Sequence, residues 1–403
     1  MKFSNQLVLL FTALLLINCS KKEDVCHING TVVDTDTESV ILVRPYEDLT
    51  EPAIEIPVID GKFEYIAHIE NPESYQLFLG KAKETRRGQF TLIFLENTDI
   101  NITVHSEENF DKNTVEGGQL NKEYKTINDA YNTKLKSLNQ EETKLKEEGN
   151  YRTKAFLDAD KLMSTDKNTW LKKTDSLRRL NQVYTTKGKA FNEKVSKIIK
   201  SRIKWAENNP SSIVSYYLLL ENLINQDIID VNKTYKLYEK LSNNFPNHPY
   251  NEVALNLIKG KSIKAGKKFI DFTAPDLNGN PITLSTQIEG KVALLDLWAT
   301  WCAPCIAKSK SMVPVYNDFK DKCFTVIGVA REKDNTEKLT KFLEKEKWPW
   351  LQLTDVDGEN KIWQKYGIPS AGGKVFLIDK TGTVIAVNPT AEEVRQHLEK
   401  TLN

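Results

Sequence analysis

The pattern of apolar and polar positions divides the chain into three stretches with different predicted structure. Residues 26–110 hold short segments rich in β-branched and aromatic residues, which predict β-strands. Residues 111–265 show helical spacing of apolar residues, and Ser211–Asn225 is predicted to be the best-buried helix. Residues 266–403 alternate apolar strands with helices, which predicts an α/β domain with central parallel pairing. The chain is therefore predicted to be multidomain, with an N-terminal antiparallel β-sandwich, a central α-helical segment and a C-terminal α/β domain.

Three turn sequences add detail to this division. Asp60-Gly61 lies between two predicted strands of the first stretch and is a strong hairpin signal. In the third stretch, Asp276–Asn280 is predicted to be a turn near the start of the domain, and Asp379–Thr383 a turn between its last two strands. The third stretch is therefore predicted to contain hairpins besides its strand–helix alternation.

The first residues predict an export signal. The apolar run Leu7–Ile17 is too short to span a bilayer of about 30 Å, but it suits the core of a signal peptide. It ends in Leu16-Ile17-Asn18-Cys19, which resembles the lipobox of bacterial lipoproteins, where the cysteine is acylated and becomes the new N-terminus. We therefore predict a lipoprotein signal peptide over residues 1–18 and lipidation of Cys19. An ordinary secretory peptide with a chance cysteine is the alternative.

The residues after Cys19 bear on location. Ser20–Asp24 is a charged run that is predicted to be a solvated tether and that resembles the surface-export signals of Bacteroidetes lipoproteins. We expect a lipid-anchored protein of the cell envelope that faces the periplasm, with surface display as an alternative. The β-rich domain is then predicted over residues 19–110, and a helical domain or linker over residues 111–265.

Composition narrows the function classes only slightly. The chain has 403 residues and a formal net charge of +1, which gives no reason to expect a nucleic-acid partner. Its 40% hydrophobic and 28% charged residues fit globular domains. Five cysteines are too few for a disulfide-stapled scaffold. The histidines show no metal-ligand spacing, so we predict no metal site.

The candidate chemistry lies in Leu295–Cys305, where an apolar strand runs directly into a C-x-x-C motif that opens a helix. Two thiols three residues apart on a first helical turn can form a disulfide. The helix N-terminus stabilises a thiolate, so Cys302 is predicted to be the nucleophile and the more exposed sulfur. Cys305, one turn deeper, is predicted to be the resolving thiol. Pro304 fits the first turn because its missing N–H costs nothing there.

The same stretch resembles thioredoxin, and residues 266–403 resemble the membrane-tethered thiol-disulfide reductases of the TlpA and ResA type. The resemblance implies a thioredoxin fold, a redox-active Cys302–Cys305 disulfide and no cofactor, because the cysteine pair carries the two electrons. It also implies that Asp296 takes the proton of the resolving thiol, with a pKa raised by burial. The β-rich stretch resembles the domain of unknown function that often precedes a thioredoxin domain in Bacteroidetes lipoproteins.

Three further residues are expected to support the cysteine pair. Trp298 and Trp301 are expected to pack around the motif rather than to react. Gly373 stands where thioredoxin-like proteins usually carry a cis-proline, and Pro369 fills that role only if the loop is re-registered. Our hypothesis is a trans, more mobile loop at Gly373 that admits a bulkier partner. A decayed loop in a domain that only binds is the alternative.

The resemblance implies a thiol-disulfide oxidoreductase that reduces or exchanges disulfides of envelope proteins and is recharged by a membrane electron donor. The β-rich and helical segments are expected to position the active site or to gather a partner. Two other functions stay open. A thiol peroxidase of the peroxiredoxin branch needs Thr or Ser three residues before its reactive cysteine, where this chain has Ala299. A redox-inert binding lipoprotein does not need the intact cysteine pair.

The cysteine motif and the remaining cysteines leave two alternatives. Half a zinc site is the alternative interpretation of the C-x-x-C motif, although no second pair accompanies it. Cys323 is expected to be a small buried hydrophobic residue, and a Cys26–Cys323 bridge is the alternative.

Overall fold

The computed structural model describes residues 24–47, 49, 54–85, 87–226, 229–368 and 372–402. The predicted signal peptide, the lipidation residue Cys19 and the alternative proline Pro369 lie outside these residues. Within them, the chain forms the three predicted regions in the predicted order.

The N-terminal region is built from two four-stranded sheets. Its elements are β1 (Val25–Val32), β2 (Ser39–Val43), β3 (Ile54–Pro57), β4 (Lys62–His68), β5 (Glu73–Leu79), a short α1 (Ala82–Thr85), β6 (Thr91–Leu95), β7 (Asp99–Val104) and β8 (Thr114–Glu116). The strand orders are β4-β1-β7-β8 and β3-β2-β5-β6. The predicted sandwich is confirmed, and its pairings are antiparallel except for β1 with β7. Strand β8 extends the first sheet beyond residue 110.

Alternation along the strands places apolar residues of both sheets in one core. On β1, Cys26, Ile28 and Gly30 are buried while His27 points to solvent. Glycine is required on this strand because a Cβ at residue 30 would lie 1.9 Å from the ring of Phe63 on β4. The two sheets therefore pack through a shared apolar layer.

The turn predicted at Asp60-Gly61 is present, but the hairpin that it closes is one residue pair long. Both residues have positive φ, 51° and 71°, as a tight turn between strands requires. Ile59 and Lys62 form an antiparallel bridge across the turn, with backbone hydrogen bonds of 2.8 and 2.9 Å. Beyond this bridge, β3 pairs with β2, and β4 pairs with β1 over seven residues, because the two strands belong to different sheets.

The central region is helical. Its helices are α2 (Gln119–Lys136), α3 (Asn139–Glu147), α4 (Lys154–Asp160), α5 (Lys167–Arg179), α6 (Thr186–Asn208), α7 (Ile213–Asn225), α8 (Val231–Asn244) and α9 (Tyr250–Ser262). The predicted burial of α7 is confirmed, since nine of its 13 residues are buried. The Ser212 hydroxyl caps this helix by accepting a hydrogen bond from the backbone N–H of Val214.

Side chains of the central helices cover the open edge of the second sheet. The Asn121 amide on α2 pairs with the backbone of Phe94 on the edge strand β6, at 2.8 Å to its nitrogen and 2.9 Å to its oxygen. The Tyr250 hydroxyl on α9 accepts a hydrogen bond from the backbone N–H of Ser74 on the inner strand β5 at 2.7 Å. Side chains of α2 and α9 therefore bind backbone groups of two neighbouring strands of this sheet.

The C-terminal region has the predicted α/β architecture. Its elements are β9 (Thr273–Pro275), β10 (Pro281–Thr283), α10 (Leu284–Ile288), β11 (Val292–Trp298), α11 (Ala303–Phe319), β12 (Phe324–Ala330), α12 (Glu337–Glu346), β13 (Leu351–Thr354), α13 (Ile362–Lys365), β14 (Lys374–Ile378), β15 (Val384–Val387) and α14 (Ala391–Leu402). The main sheet has the order β13-β12-β11-β14-β15. The β11, β12 and β13 strands run parallel, and β14 and β15 form the predicted late hairpin. Every residue of the central strand β11 is buried.

The central helices contact the C-terminal region in two places. Helix α9 lies so close to the turn after α13 that a Cβ on Gly260 would lie 2.0 Å from the backbone nitrogen of Gly367. At the end of α5, the Arg179 guanidinium lies 3.1 Å from the Glu393 carboxylate and donates to the carbonyl oxygen of Asn388 at 2.6 Å. Helices of the central region therefore contact two sides of the domain that carries the cysteine motif.

Candidate active site

The structure joins Cys302 and Cys305 in a disulfide at the start of α11, directly after the buried strand β11. Their Cα atoms are 5.3 Å apart. Cys302 is the N-cap of the helix, and its Sγ accepts the backbone N–H of Cys305 at 3.3 Å. Pro304 follows in the first turn. This N–H and the helix dipole both stabilise negative charge on the sulfur of Cys302.

Whole-residue exposure does not distinguish the two cysteines in the disulfide form. Cys302 is 7% exposed and Cys305 is 8% exposed. The expectation that the sulfur of Cys302 is the more exposed one in the reduced pair stays a prediction. The difference between them is electrostatic, because only the sulfur of Cys302 occupies the N-cap of α11.

The Asp296 carboxyl lies in the middle of β11 and is 2% exposed. Burial raises the pKa of this carboxyl to about 6, and the Ser309 hydroxyl and the Lys308 ammonium hold it from rising further. The Ser309 hydroxyl donates to Oδ2 of Asp296 at 2.5 Å. An aspartate with a pKa near 6 is ionised at pH 7 and can accept a proton there.

Lys308 connects this carboxyl to the central helices. Burial lowers the pKa of the Lys308 ammonium, while Asp175 on α5 raises it and Arg179 on the same helix lowers it. Helix α5 therefore contributes charge beside the candidate site, through the same Arg179 that contacts Glu393.

The two tryptophans of the motif have different surroundings. Trp298 is fully buried, and its indole N–H donates to Oε1 of Gln352 at 3.0 Å. Trp301 is half-buried, its indole N–H donates to the carbonyl oxygen of Arg331, and its ring lies 5.7 Å from that of Trp363. Both indoles are held by hydrogen bonds and ring contacts, which suits packing residues.

Glu332 holds the turn before the cysteines, a role that the sequence motifs do not predict. It is 2% exposed and follows β12, which is parallel to β11. Its carboxylate accepts the backbone N–H of Thr300 at 2.8 Å and the Thr300 hydroxyl at 2.7 Å. Its position after β12 could have indicated this role. The carboxyl ends of neighbouring parallel strands meet at one edge of a sheet, so a residue after β12 lies near the residues after β11.

Gly373 lies directly against the disulfide. A Cβ at this residue would be 2.7 Å from Sγ of Cys305 and 2.2 Å from the carbonyl oxygen of Leu297. The peptide bond before it is trans, as expected, and the preceding Gly372 has a φ of +89°. The backbone of residue 373 thus lies close to the sulfur, and the hypothesis that this loop admits a bulkier partner stays a prediction.

Among the described residues, Cys26 and Cys323 lie outside the motif, and both are free. Cys26 is buried in the β-sandwich, where burial raises the pKa of its thiol to about 11. Cys323 is exposed, with a φ of +60°, so the expectation that it is buried is wrong. The alternative bridge between these two cysteines is also wrong. The turn before β12 carries Cys323 out of the core although its sequence neighbour Phe324 is buried.

The described part of the chain holds neither a metal-binding cluster nor a membrane-spanning helix. No group of three or more His, Cys, Asp or Glu side chains there could hold a metal ion. In the same residues, no helix combines the length and the apolar character needed to cross a membrane.

Known proteins resemble two parts of the chain. The AhpC/TSA family matches residues 265–387, and a family described as a domain of unknown function, DUF4369, matches residues 26–124. The thiol-disulfide oxidoreductase ResA of Bacillus thuringiensis subsp. konkukian is 31% identical over 151 residues, which cover 35% of this chain and 81% of that protein. The chain belongs to this family of thiol-disulfide oxidoreductases.

Other members of the family match the same region. The thiol:disulfide interchange protein DsbE of Pseudomonas fluorescens biotype C is 30% identical over 120 residues, which cover 30% of this chain and 63% of that protein. The crystal structure of the thioredoxin domain of a thiol-disulfide oxidoreductase from Bacteroides vulgatus is 29% identical, with a TM-score of 0.32, and covers 35% of this chain and all of that chain. The predicted identity of both the C-terminal domain and the N-terminal domain is thus confirmed at the family level.

Proposed function

We propose that the chain is a lipid-anchored thiol-disulfide oxidoreductase of the cell envelope that reduces or exchanges protein disulfides through Cys302 and Cys305. The observation that carries the proposal is the disulfide at the start of α11, above a buried carboxyl at Asp296. The cysteine pair holds two electrons when it is reduced, so the reaction needs no further cofactor.

The reaction begins with the reduced pair. The Cys302 thiolate attacks one sulfur of the substrate disulfide, a mixed disulfide forms, and the other substrate sulfur leaves as a thiolate that takes up a proton. Cys305 then loses its proton and attacks Sγ of Cys302. The bond between Cys302 and the substrate breaks, the substrate leaves fully reduced, and the Cys302–Cys305 disulfide remains.

Asp296 is proposed to take the proton of Cys305 in the second step. Its pKa of about 6 keeps most of the carboxyl ionised at pH 7, while its burial makes protonation inexpensive compared with an exposed aspartate. The proton returns to solvent or to the leaving thiolate when the site is recharged.

Four supporting residues are proposed to fix the geometry of these steps. Trp298 and Trp301 pack beside the motif, and Pro304 shapes the first turn of α11. The backbone of Gly373 lies beside Sγ of Cys305. These contacts restrict the approach of a substrate to the side of the pair that they leave free.

The substrates and partners follow from this chemistry. Protein disulfides exposed in the cell envelope are the proposed substrates, and a membrane electron donor is the proposed source of the two electrons that each cycle consumes. An oxidising compartment returns the pair to the disulfide, so a reductase there needs such a donor.

The lipid anchor is proposed from the apolar run Leu7–Ile17 and the cysteine that follows it. In cell fractionation of the full chain, wild type is expected in membranes that need detergent for release. Cys19→Ala is expected in the soluble envelope fraction or as unprocessed precursor. Retention of the variant in the detergent-requiring fraction contradicts the anchor, with the redox proposal unaffected.

The experiment that tests the redox proposal compares two activities of the same purified chain. With dithiothreitol as electron source, wild type is expected to accelerate the reduction of insulin disulfides. The consumption of hydrogen peroxide is expected to stay at its uncatalysed rate. Ala299 has no hydroxyl to offer a peroxide, and the sulfur of Cys302 pairs with a cysteine three residues away. Peroxide consumption without insulin reduction favours a thiol peroxidase, and the absence of both activities favours a binding protein.

A further inference from the structure

Ser309 joins Cys305 to the buried carboxyl of Asp296. It lies on α11 one helical turn after Cys305 and is 1% exposed. Its Oγ lies 2.5 Å from Oδ2 of Asp296 and 3.0 Å from the carbonyl oxygen of Cys305. The hydroxyl therefore bridges the carboxyl of Asp296 and the backbone carbonyl of Cys305, the two residues that exchange a proton in the proposed reaction.

A serine hydroxyl can serve both protonation states of this carboxyl because it carries one proton and two lone pairs. When Asp296 is ionised, the hydroxyl donates its proton to Oδ2. When Asp296 is protonated, the acid donates to Oγ of Ser309, and the hydroxyl proton turns to the carbonyl oxygen of Cys305. The buried carboxyl thus keeps a partner in each state with no movement of heavy atoms.

We propose that Ser309 is a positioning residue of the reaction, whose hydroxyl keeps Asp296 able both to accept and to release the proton of Cys305. This inference rests on the proposed function, in which Asp296 is the proton acceptor. It adds a residue that acts through Asp296 and does not itself touch the substrate sulfur.

The ordinary role of serine in a helix does not account for this contact. Serine hydroxyls often bond a carbonyl oxygen one turn earlier, and Ser311 on the same helix does so to Lys308 at 2.6 Å. Ser309 makes such a bond to Cys305, but its shorter contact is to a carboxylate. Ser311 is exposed and Ser309 is buried, so Ser311 is the matched control for the loss of a helical serine hydroxyl.

The charges that face Asp296 come from α11 and from the elements packed on it. Lys308 lies on α11 and acts on Asp296 directly. Asp175 and Arg179 on α5 and Glu393 on α14 act in turn on Lys308.

The neighbouring strands place uncharged residues beside the carboxyl. Gly328 on β12 and Val375 on β14 are in register with Asp296. Lys374 on β14 is in register with Leu297. The hydrogen bond from Ser309 is therefore the contact to Asp296 that a single substitution can remove without changing a charge.

The test is the pH dependence of mixed-disulfide release, measured by single-turnover kinetics on the full chain between pH 5 and pH 9. The wild-type rate is expected to rise with pH through the titration of Asp296. Ser309→Ala removes a hydrogen bond to the ionised form, so the midpoint is expected to move up by about one pH unit. Release then slows by about tenfold at pH 5 and is unchanged at pH 9.

Two further variants separate the proposal from a structural effect. Ser311→Ala is expected to keep the wild-type midpoint, and Ser309→Thr is expected to restore it because it returns the hydroxyl. Formation of the mixed disulfide, which precedes the proton transfer from Cys305, is expected to keep its wild-type rate in Ser309→Ala. If that variant does not fold, Ser309→Cys retains the volume with a weaker donor, and the same upward shift is required of it.

The outcomes distinguish a failure of the role of Ser309 from a failure of the role of Asp296. A wild-type midpoint in folded Ser309→Ala overturns the role of Ser309. If Asp296→Asn removes the pH dependence while Ser309→Ala leaves the midpoint in place, only this inference fails. If Asp296→Asn leaves the pH profile unchanged, Asp296 is not the proton acceptor, and the inference fails together with that part of the proposed function.

Discussion

Replacing Cys302 with serine is expected to abolish disulfide reduction, whereas replacing Cys305 with serine is expected to trap a mixed disulfide. A serine hydroxyl at residue 302 stays protonated at the helix start and does not attack sulfur, so the loss is expected to be on the order of 10³-fold or more. Without the thiol of Cys305, the first step proceeds but the substrate is not released.

Mass spectrometry of the reduced variants after exposure to a disulfide-bearing peptide checks this prediction. Cys305→Ser is expected to gain the mass of one peptide thiol at Cys302, and Cys302→Ser is expected to gain none there. Cys323→Ser is the matched control, because that exposed thiol lies outside the site. A stable adduct at Cys305 in the Cys302→Ser variant, formed as fast as the adduct at Cys302, contradicts the assignment of the nucleophile.

Replacing Asp296 with asparagine is expected to stabilise the oxidised protein at pH 8 by about 3 kcal/mol. Burial raises the pKa of this carboxyl from its usual 3.8 to about 6, so the folded state binds the proton more tightly than the unfolded state. As pH rises from about 4 to 6, ionisation of the buried carboxyl lowers the free energy of unfolding of the wild-type protein. The full decrease is present above pH 6. Asparagine is neutral at every pH and still accepts the Ser309 hydrogen bond through its amide oxygen.

Urea unfolding at pH 8 and at pH 4 checks the sign of this effect. Tryptophan fluorescence reports mainly on the C-terminal domain, which holds five of the seven tryptophans: Trp298, Trp301, Trp348, Trp350 and Trp363. The stabilisation is expected at pH 8 and is expected to vanish at pH 4. An equal effect at both values contradicts the titration of Asp296 as its cause.

A second buried aspartate provides the contrast. The Asp355 carboxylate is fully buried and accepts the backbone N–H groups of Asn360 at 2.9 Å and Ile362 at 3.1 Å, one on each oxygen. Burial raises the pKa of this carboxyl too, although these two N–H groups hold it down. Asp355→Asn removes the charge but places an amide group against one of these donors, so it is expected to stabilise the protein less than Asp296→Asn does. A smaller gain at Asp355 than at Asp296 separates the cost of charge from the effect of losing an acceptor.

The cysteine motif and most strands and helices could be predicted from local sequence patterns. The strand that runs into Cys302, the helix that follows it and the buried α7 all depend on short-range pattern. The turn at Asp60-Gly61 was also predicted correctly as a turn. Its strands pair elsewhere because pairing depends on which distant strand completes each sheet.

The remaining features of the site depend on residues that are distant in sequence. Glu332 reaches Thr300 only because β11 and β12 are parallel neighbours. Gly373 lies against Cys305 because β14 pairs with β11. The exposure of Cys323 depends on one positive φ at a turn. The sequence pattern does not indicate this turn, because the next residue, Phe324, is apolar and buried.

The backbone contact between Gly260 and Gly367 leaves no room for a side chain between the central helices and the C-terminal domain. A side chain at either residue would separate α9 from the turn after α13, and Gly373, which lies beside the sulfur of Cys305, follows that turn by six residues. A substitution on α9 that pushes this helix outward is therefore expected to alter the cysteine site without touching any residue of it.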